Sequence, residues 1–282
     1  MKCDVHMHMI LDGQDWRAAI GRHKQAPDEG FIHQVLRTYR DAGYTYLRDG
    51  GDRWGAGKRA RELAVEYGIA YRTPLANLCK RGHYGGFIGK TYENFKEYAD
   101  LVGQTRAEGG DFIKIMISGL MDFDRFGVLT EEGLPATEIR ELIHIAHEEG
   151  FAVMAHANGA RTVEAAAQAG VDSVEHGAYL DEGALAAMKE NAVVWVPTIS
   201  TVGNLRGKGR FEEAAVTRIF ESAAENIRCF AAMGGLLGCG SDAGAWAVPH
   251  GCGAEERLLG EILGENVPQI LQRGNQVIVE KF

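Results

Sequence analysis

Short apolar runs alternate with longer stretches of helical periodicity from one end of the chain to the other. The runs are Cys3 to His8, Tyr44 to Leu47, Ile69 to Leu78, Phe112 to Ile117, Phe151 to Ala155, Val171 to Val174, Val193 to Val196, and Leu236-Leu237 leading into Gly238-Cys239-Gly240. Each is short and bounded by glycine, proline or polar residues, the pattern of a strand buried on both faces. Between them the periodicity predicts helices at Ile32–Ala42, Gly57–Tyr67, Tyr92–Ala107, Thr137–Glu149, Ala160–Ala169, Glu182–Lys189, Glu212–Met233 and Ala254–Leu263, with further turns up to Gln272. In Thr137–Glu149 the residues Ile139, Leu142, Ile143 and Ala146 make an apolar stripe at helical spacing. Gly43, Gly68 and Gly150 stand where helices should close, because glycine accepts the left-handed turn of a C-terminal cap. The last run, Gln276-Val277-Ile278-Val279, is strand-like and is expected to pack as a tail on the rest.

Eight strands, each followed by a helix, imply parallel pairing through right-handed crossovers. Over 282 residues this favours a single (β/α)8 TIM barrel spanning residues 1–282. A doubly wound open sheet is the alternative. It is disfavoured because the first strand–helix connection lacks a G-x-G-x-x-G phosphate cradle and no P-loop occurs.

Composition narrows the function classes. The chain is 45% hydrophobic and 24% charged, as expected of a globular protein with a large core. A net charge of −9 argues against nucleic acid as a partner. No apolar run approaches the ~20 residues that cross a bilayer, and no leader precedes the first strand, so a cytoplasmic protein without a membrane partner is expected. The five cysteines show no C-x-x-C spacing and read as reduced thiols.

The chemistry gathers at strand ends. His6 and His8 are two residues apart on the first strand and so share a face. Lys114 interrupts the fourth strand, His156 follows the fifth, His176 the sixth and Asp242 the eighth. Taken alone, each has an ordinary explanation: a hydrogen-bonded core histidine, a lysine paired to a carboxylate or used as a Schiff base, an aspartate capping a turn. Together, at the end of a barrel where catalytic groups sit, they form a candidate metal site.

The set resembles the amidohydrolase superfamily: His6-Met7-His8, Phe112-Ile113-Lys114-Ile115-Met116, Ala155-His156-Ala157-Asn158-Gly159, Val174-Glu175-His176-Gly177 and Gly240-Ser241-Asp242, in the family's order over nearly the whole chain. The subgroup it resembles holds metal-dependent prolidases, other dipeptidases and N-acyl amino acid hydrolases, with imidazolonepropionase more distant. The resemblance implies two divalent metals, zinc first among the candidates. His6, His8 and Asp242 would hold one, and His156 and His176 the other. Lys114 would bridge them as a CO2-derived carbamate. The metals would share a hydroxide and polarise a carbonyl, with Asp242 as general base and then acid. Many relatives carry a small β-sandwich built from segments flanking the barrel, and a barrel without it is expected here.

Further candidates are weaker. His83, in Arg81-Gly82-His83, matches a glycine-flanked histidine that faces substrate in the subgroup. Tyr179 is a candidate to contact substrate, and Arg48 either to bind a substrate carboxylate or to pair internally with Asp49 or a neighbour. Trp54 and Trp246 are pocket walls or core, and residues 120–133 are a lid or specificity loop. The expected activity is hydrolysis of an amide C–N bond in a dipeptide, an N-acyl amino acid or a cyclic amide. Lactone or ester hydrolysis, deamination, Schiff-base aldol chemistry through Lys114 and a non-catalytic barrel subunit are the alternatives. The partner is a small-molecule substrate, and the sequence leaves homo-oligomerisation open.

Overall fold

The computed structural model describes residues 1–282, arranged as an α/β fold with only parallel strand pairs inside its sheets. The strands are β1 (Cys3–Met7), β2 (Tyr46–Asp49), β3 (Ala70–Arg72), β4 (Asn77–Lys80), β5 (Lys90–Tyr92), β6 (Ile113–Met116), β7 (Val153–Ala157), β8 (Ser173–His176), β9 (Val194–Val196) and β10 (Leu236–Leu237). The helices are α1 (Trp16–His23), α2 (Glu29–Asp41), α3 (Ala56–Ala64), α4 (Phe95–Ala107), α5 (Ala136–Glu148), α6 (Ala160–Gln168), α7 (Glu182–Glu190), α8 (Ser200–Gly203), α9 (Glu213–Ala232), α10 (Ala254–Leu263) and α11 (Val267–Lys281). Side chains cap several of them: Asp15, Asp28, Asn94 and Asp181 accept backbone N–H bonds at the starts of α1, α2, α4 and α7.

One sheet has the order β1-β2-β3, the other β10-β9-β8-β7-β6-β4-β5. The run predicted as one strand from Ile69 to Leu78 is broken, and the break joins the sheets. β3 pairs with β2, and β4 pairs with β6. Between them Pro74 offers no N–H and Leu75 takes a left-handed backbone with φ 65°. At the far edge, the segment after β10 bonds to β1. Val5 N–H donates to Cys239 O (3.0 Å), Asp242 N–H to His6 O (2.7 Å) and His8 N–H to Ala243 O (2.8 Å). Three short elements escaped the sequence reading: α1, α8 and the outlying strand β5.

The strands bury both faces. Every residue of β1, β6 and β7 is buried. Outward side chains pack under helices, where Ile139, Leu142, Ile143 and Ala146 of α5 form the expected stripe. A separate cluster of Val5, Tyr46, Phe112, Met154, Val194 and Val196 meets Ile278 and Phe282 of the C-terminal segment. That contact corrects the expectation of a strand-like tail at Gln276–Val279: the residues are the last turns of α11. The β-branched run suggests a strand, but Leu271, Gly274 and Ile278 make a buried helical stripe. Gly274 lies directly on the backbone of Leu237, where a Cβ would collide with the carbonyl oxygen. No helix is long and apolar enough to cross a membrane.

Candidate metal centre

The six side chains expected to bind metal all line one cavity of about 700 Å3. His6 lies on β1, with His8 one residue beyond its end. Lys114 is in β6, His156 within β7 rather than after it, and His176 ends β8. Asp242 lies on the segment that returns from β10 to β1. His6 Nε2 is 3.4 Å from His8 Nε2 and 3.5 Å from Asp242 Oδ1, and His8 Nε2 is 3.2 Å from the same oxygen. The ring of His176 is centred 4.6 Å from that of His156 and 5.1 Å from that of His6. Between these groups the Lys114 amine is buried and has no hydrogen-bond partner.

Local backbone choices create this convergence. His6 and His8 share a face by strand alternation. Gly50 makes room for His8, whose ring occupies the space a Cβ there would need. His176 and Asp242 both take left-handed backbones, with φ of 70° and 56°. Such conformations are costly for residues with a Cβ and collect at functional sites. At His176 the turn breaks strand alternation, so consecutive residues Glu175 and His176 both reach the His6 ring.

Three of the four imidazoles have a polar anchor, and His8 Nδ1 is buried without one. His6 Nδ1 lies 2.7 Å from Glu175 Oε2, His176 Nδ1 lies 2.7 Å from Thr198 Oγ1, and His156 Nε2 lies 3.1 Å from the Gly119 carbonyl. Asn158 accepts from Ala178 N–H and donates to the same Gly119 carbonyl. Burial, followed by the charge of Lys114, pushes His6 down to about 4 and His156 to about 3. Burial and the neighbouring His156 hold His176 well below the ordinary histidine range. These three are neutral near pH 7, as ligands must be. Burial pushes Lys114 down to about 8. Glu175 would be raised by burial, but Arg48 and His6 bring it down to about 2. Asp242 is also raised by burial and lowered more by His6 and His8, ending below the usual carboxylate value.

The weaker candidates divide. Arg48 does not reach the cavity, so a carboxylate-binding role does not fit it. It is fully buried and paired internally, to Glu175 at 2.9 Å rather than to Asp49. His83 is not on the cavity wall either; its side chain is 39% exposed and lies 3.4 Å from Glu131. Its neighbour Tyr84 takes the inward position, 4.9 Å from the His156 ring between centroids. Tyr179 lies beside a small adjoining pocket that His176 also lines, with its ring edge-on to Phe126. Trp246 lines the main cavity, while Trp54 packs with the α2–α3 core. Leu120, Met121 and Phe123 bring the 120–133 loop to the cavity. Tyr84, Asn158 and Glu175 were missed as site residues, although each is adjacent to, or two residues from, a residue that was singled out.

No family model matches the chain. Ochratoxinase of Aspergillus niger is 31% identical over 149 residues, which is 51% of this chain and 28% of that protein. The match therefore spans less than a third of that curated relative's length. Among solved structures, a Xaa-Pro dipeptidase with methionine bound in its active site gives a TM-score of 0.79 at 22% identity, covering 99% of this chain and 75% of its own. The A. niger ochratoxinase structure gives 0.72 at 20% identity, covering 98% and 68%. Molinate hydrolase gives 0.70 at 15% identity, covering 99% and 73%. The structural likenesses establish the fold. The ochratoxinase match adds a sequence relationship over about half of this chain.

Proposed function

We propose that the protein is a metal-dependent amidohydrolase that cleaves a C–N bond in a dipeptide, an N-acyl amino acid or a cyclic amide. The observation that carries this reading is the Lys114 amine, buried without a partner among neutral imidazoles and Asp242. A buried amine left unsatisfied is costly, and so is the crowding of His6, His8 and Asp242 within 3.5 Å of one another in a buried site. Divalent cations would answer both. The donor set fits them: imidazole nitrogens and a carboxylate suit zinc, manganese, iron or cobalt. His6, His8 and Asp242 would hold one ion, His156 and His176 a second, and Lys114 would bridge them as a carbamate. Bound there, the ions would supply Lewis acidity toward a carbonyl and lower the pKa of a water.

The chain's own groups do the rest. Asp242 would take a proton at its carboxylate and return it to the leaving amine. Its backbone is fixed by donation to His6 O, so the carboxylate is placed before substrate arrives. Tyr84, Met121, Phe123 and Trp246 line the cavity and would exclude water. We also infer that the strands close into one eight-stranded barrel and one domain. This is supported by the β3–β4 break on one side and the hydrogen bonds from β1 to the post-β10 segment on the other. Five unpaired cysteines fit a reducing, cytoplasmic setting.

The test is a panel of dipeptides, N-acyl amino acids, cyclic amides and lactones with zinc-loaded protein, with and without chelator. Amide hydrolysis that chelator abolishes and zinc restores is expected. Turnover insensitive to chelator, with borohydride trapping on Lys114, would mark a Schiff-base enzyme and overturn the proposal, as would silence across the panel.

A further inference from the structure

We propose that Glu175, held by Arg48 and Ser173, is a positioning residue that keeps the proton of His6 on Nδ1 and its Nε2 lone pair aimed at the metal centre. The consequence for metal binding rests on the reading above; the geometry stands without it. Glu175 Oε2 lies 2.7 Å from His6 Nδ1. Its other oxygen, Oε1, accepts from Arg48 Nη2 at 2.9 Å and from Ser173 Oγ at 2.6 Å. Arg48 also donates to Ser173 Oγ at 3.0 Å and to the Val5 carbonyl at 2.6 Å, and its guanidinium lies 4.4 Å from the centre of the Phe282 ring. The Arg48 and Glu175 side chains have no exposed surface, and His6 has 1%.

The donors and acceptors leave one arrangement. An ionised carboxylate only accepts, so the His6 nitrogen facing it must carry the hydrogen. Arg48 supplies a fixed positive charge beside Glu175, which keeps the carboxylate ionised at a fully buried position. With the hydrogen on Nδ1, His6 Nε2 presents a lone pair toward His8 Nε2 and Asp242 Oδ1. Carboxylates behind metal-binding histidines orient the ring and raise its basicity, and their loss typically weakens metal binding 10–100-fold.

Glu175→Gln separates positioning from packing, because shape is kept and the donor pattern is not. Two donors, Arg48 Nη2 and Ser173 Oγ, converge on the Oε1 position, so the glutamine oxygen belongs there. Its NH2 then faces His6 Nδ1, which must accept, and the ring proton moves to Nε2. In metal-free 15N-labelled protein, long-range 1H–15N spectra report the tautomer, with His6 assigned by its loss in His6→Asn. The wild type should show Nδ1–H. The variant should show Nε2–H and bind zinc, by chelator competition, about 10–100-fold more weakly. An Nε2–H wild type overturns the inference even if the variant fails to fold. So does a variant whose tautomer is unswitched, or one that switches yet binds zinc as tightly as the wild type. If the wild type binds no zinc, the metal reading falls while the tautomer still decides the role of Glu175.

Discussion

Lys114 shows how far one residue's chemistry is set by where the fold puts it. An ordinary lysine is an ammonium at neutral pH and would repel a cation. Burial removes the water that stabilises that charge; Glu175 and Asp242 oppose the shift, Arg48 assists it, and the amine falls to about 8. At pH 7 about a tenth of the molecules then hold a free amine, against fewer than ~1 in 1,000 for an exposed lysine. Only the free amine attacks CO2. The sign is therefore fixed: the uncharged fraction rises as pH rises through 8 and levels off above it. At constant dissolved CO2, the initial rate at which 13C label enters a carbamate on metal-free protein should rise about tenfold from pH 7 to pH 9 and then flatten. A rate that keeps climbing beyond pH 10, as for an exposed lysine, would contradict this environment.

At the scale of elements, α11 packs Ile278 and Phe282 among Val5, Tyr46, Phe112, Met154, Val194 and Val196, a cluster from the sheets. The helix lies flush because position 274 has no side chain. In isolation Gly274→Ala would favour the helix by up to ~1 kcal/mol. Here the added methyl would meet the Leu237 carbonyl, which is strand backbone and cannot move aside. A net loss of about 1–3 kcal/mol is expected from denaturant unfolding. A neutral or stabilising substitution would show that α11 is not seated on β10. This element was also the hardest to read in the sequence. Val277-Ile278-Val279 is β-branched and suggests a strand, and only packing against Leu237 decides otherwise. The short helix α1 was hidden by its polar composition, since Ala19, Ile20 and His23 are its only buried residues. Long periodic helices such as α5 were legible because one face alone carries their apolar residues. The candidate ligand histidines were legible for a related reason: a polar residue interrupting or ending a buried strand needs an explanation. Glu175 was not, because its reason for being buried is Arg48, far away in sequence. For the same reason Arg48 was left open between a substrate contact and an internal pair, and Glu175 was not named as its partner. Long-range ion pairs leave no local pattern.

At the scale of the whole molecule, the proposed ligands come from both ends of the chain and from three strands between them, so the centre exists only when the sheets are assembled. Metal binding and global folding should therefore be coupled, since free energy of binding to a site absent from the unfolded chain is free energy of folding. The same assembly buries the Lys114 amine, with its affinity for a proton lowered, between the two proposed ligand groups. The most direct test of this account is the metal content of the protein purified with zinc and bicarbonate present. About two zinc ions per chain are expected for the wild type, and far fewer for Lys114→Ala folded to the same extent. A folded wild type that holds no zinc under these conditions, or a Lys114→Ala variant that holds as much as the wild type, would contradict it.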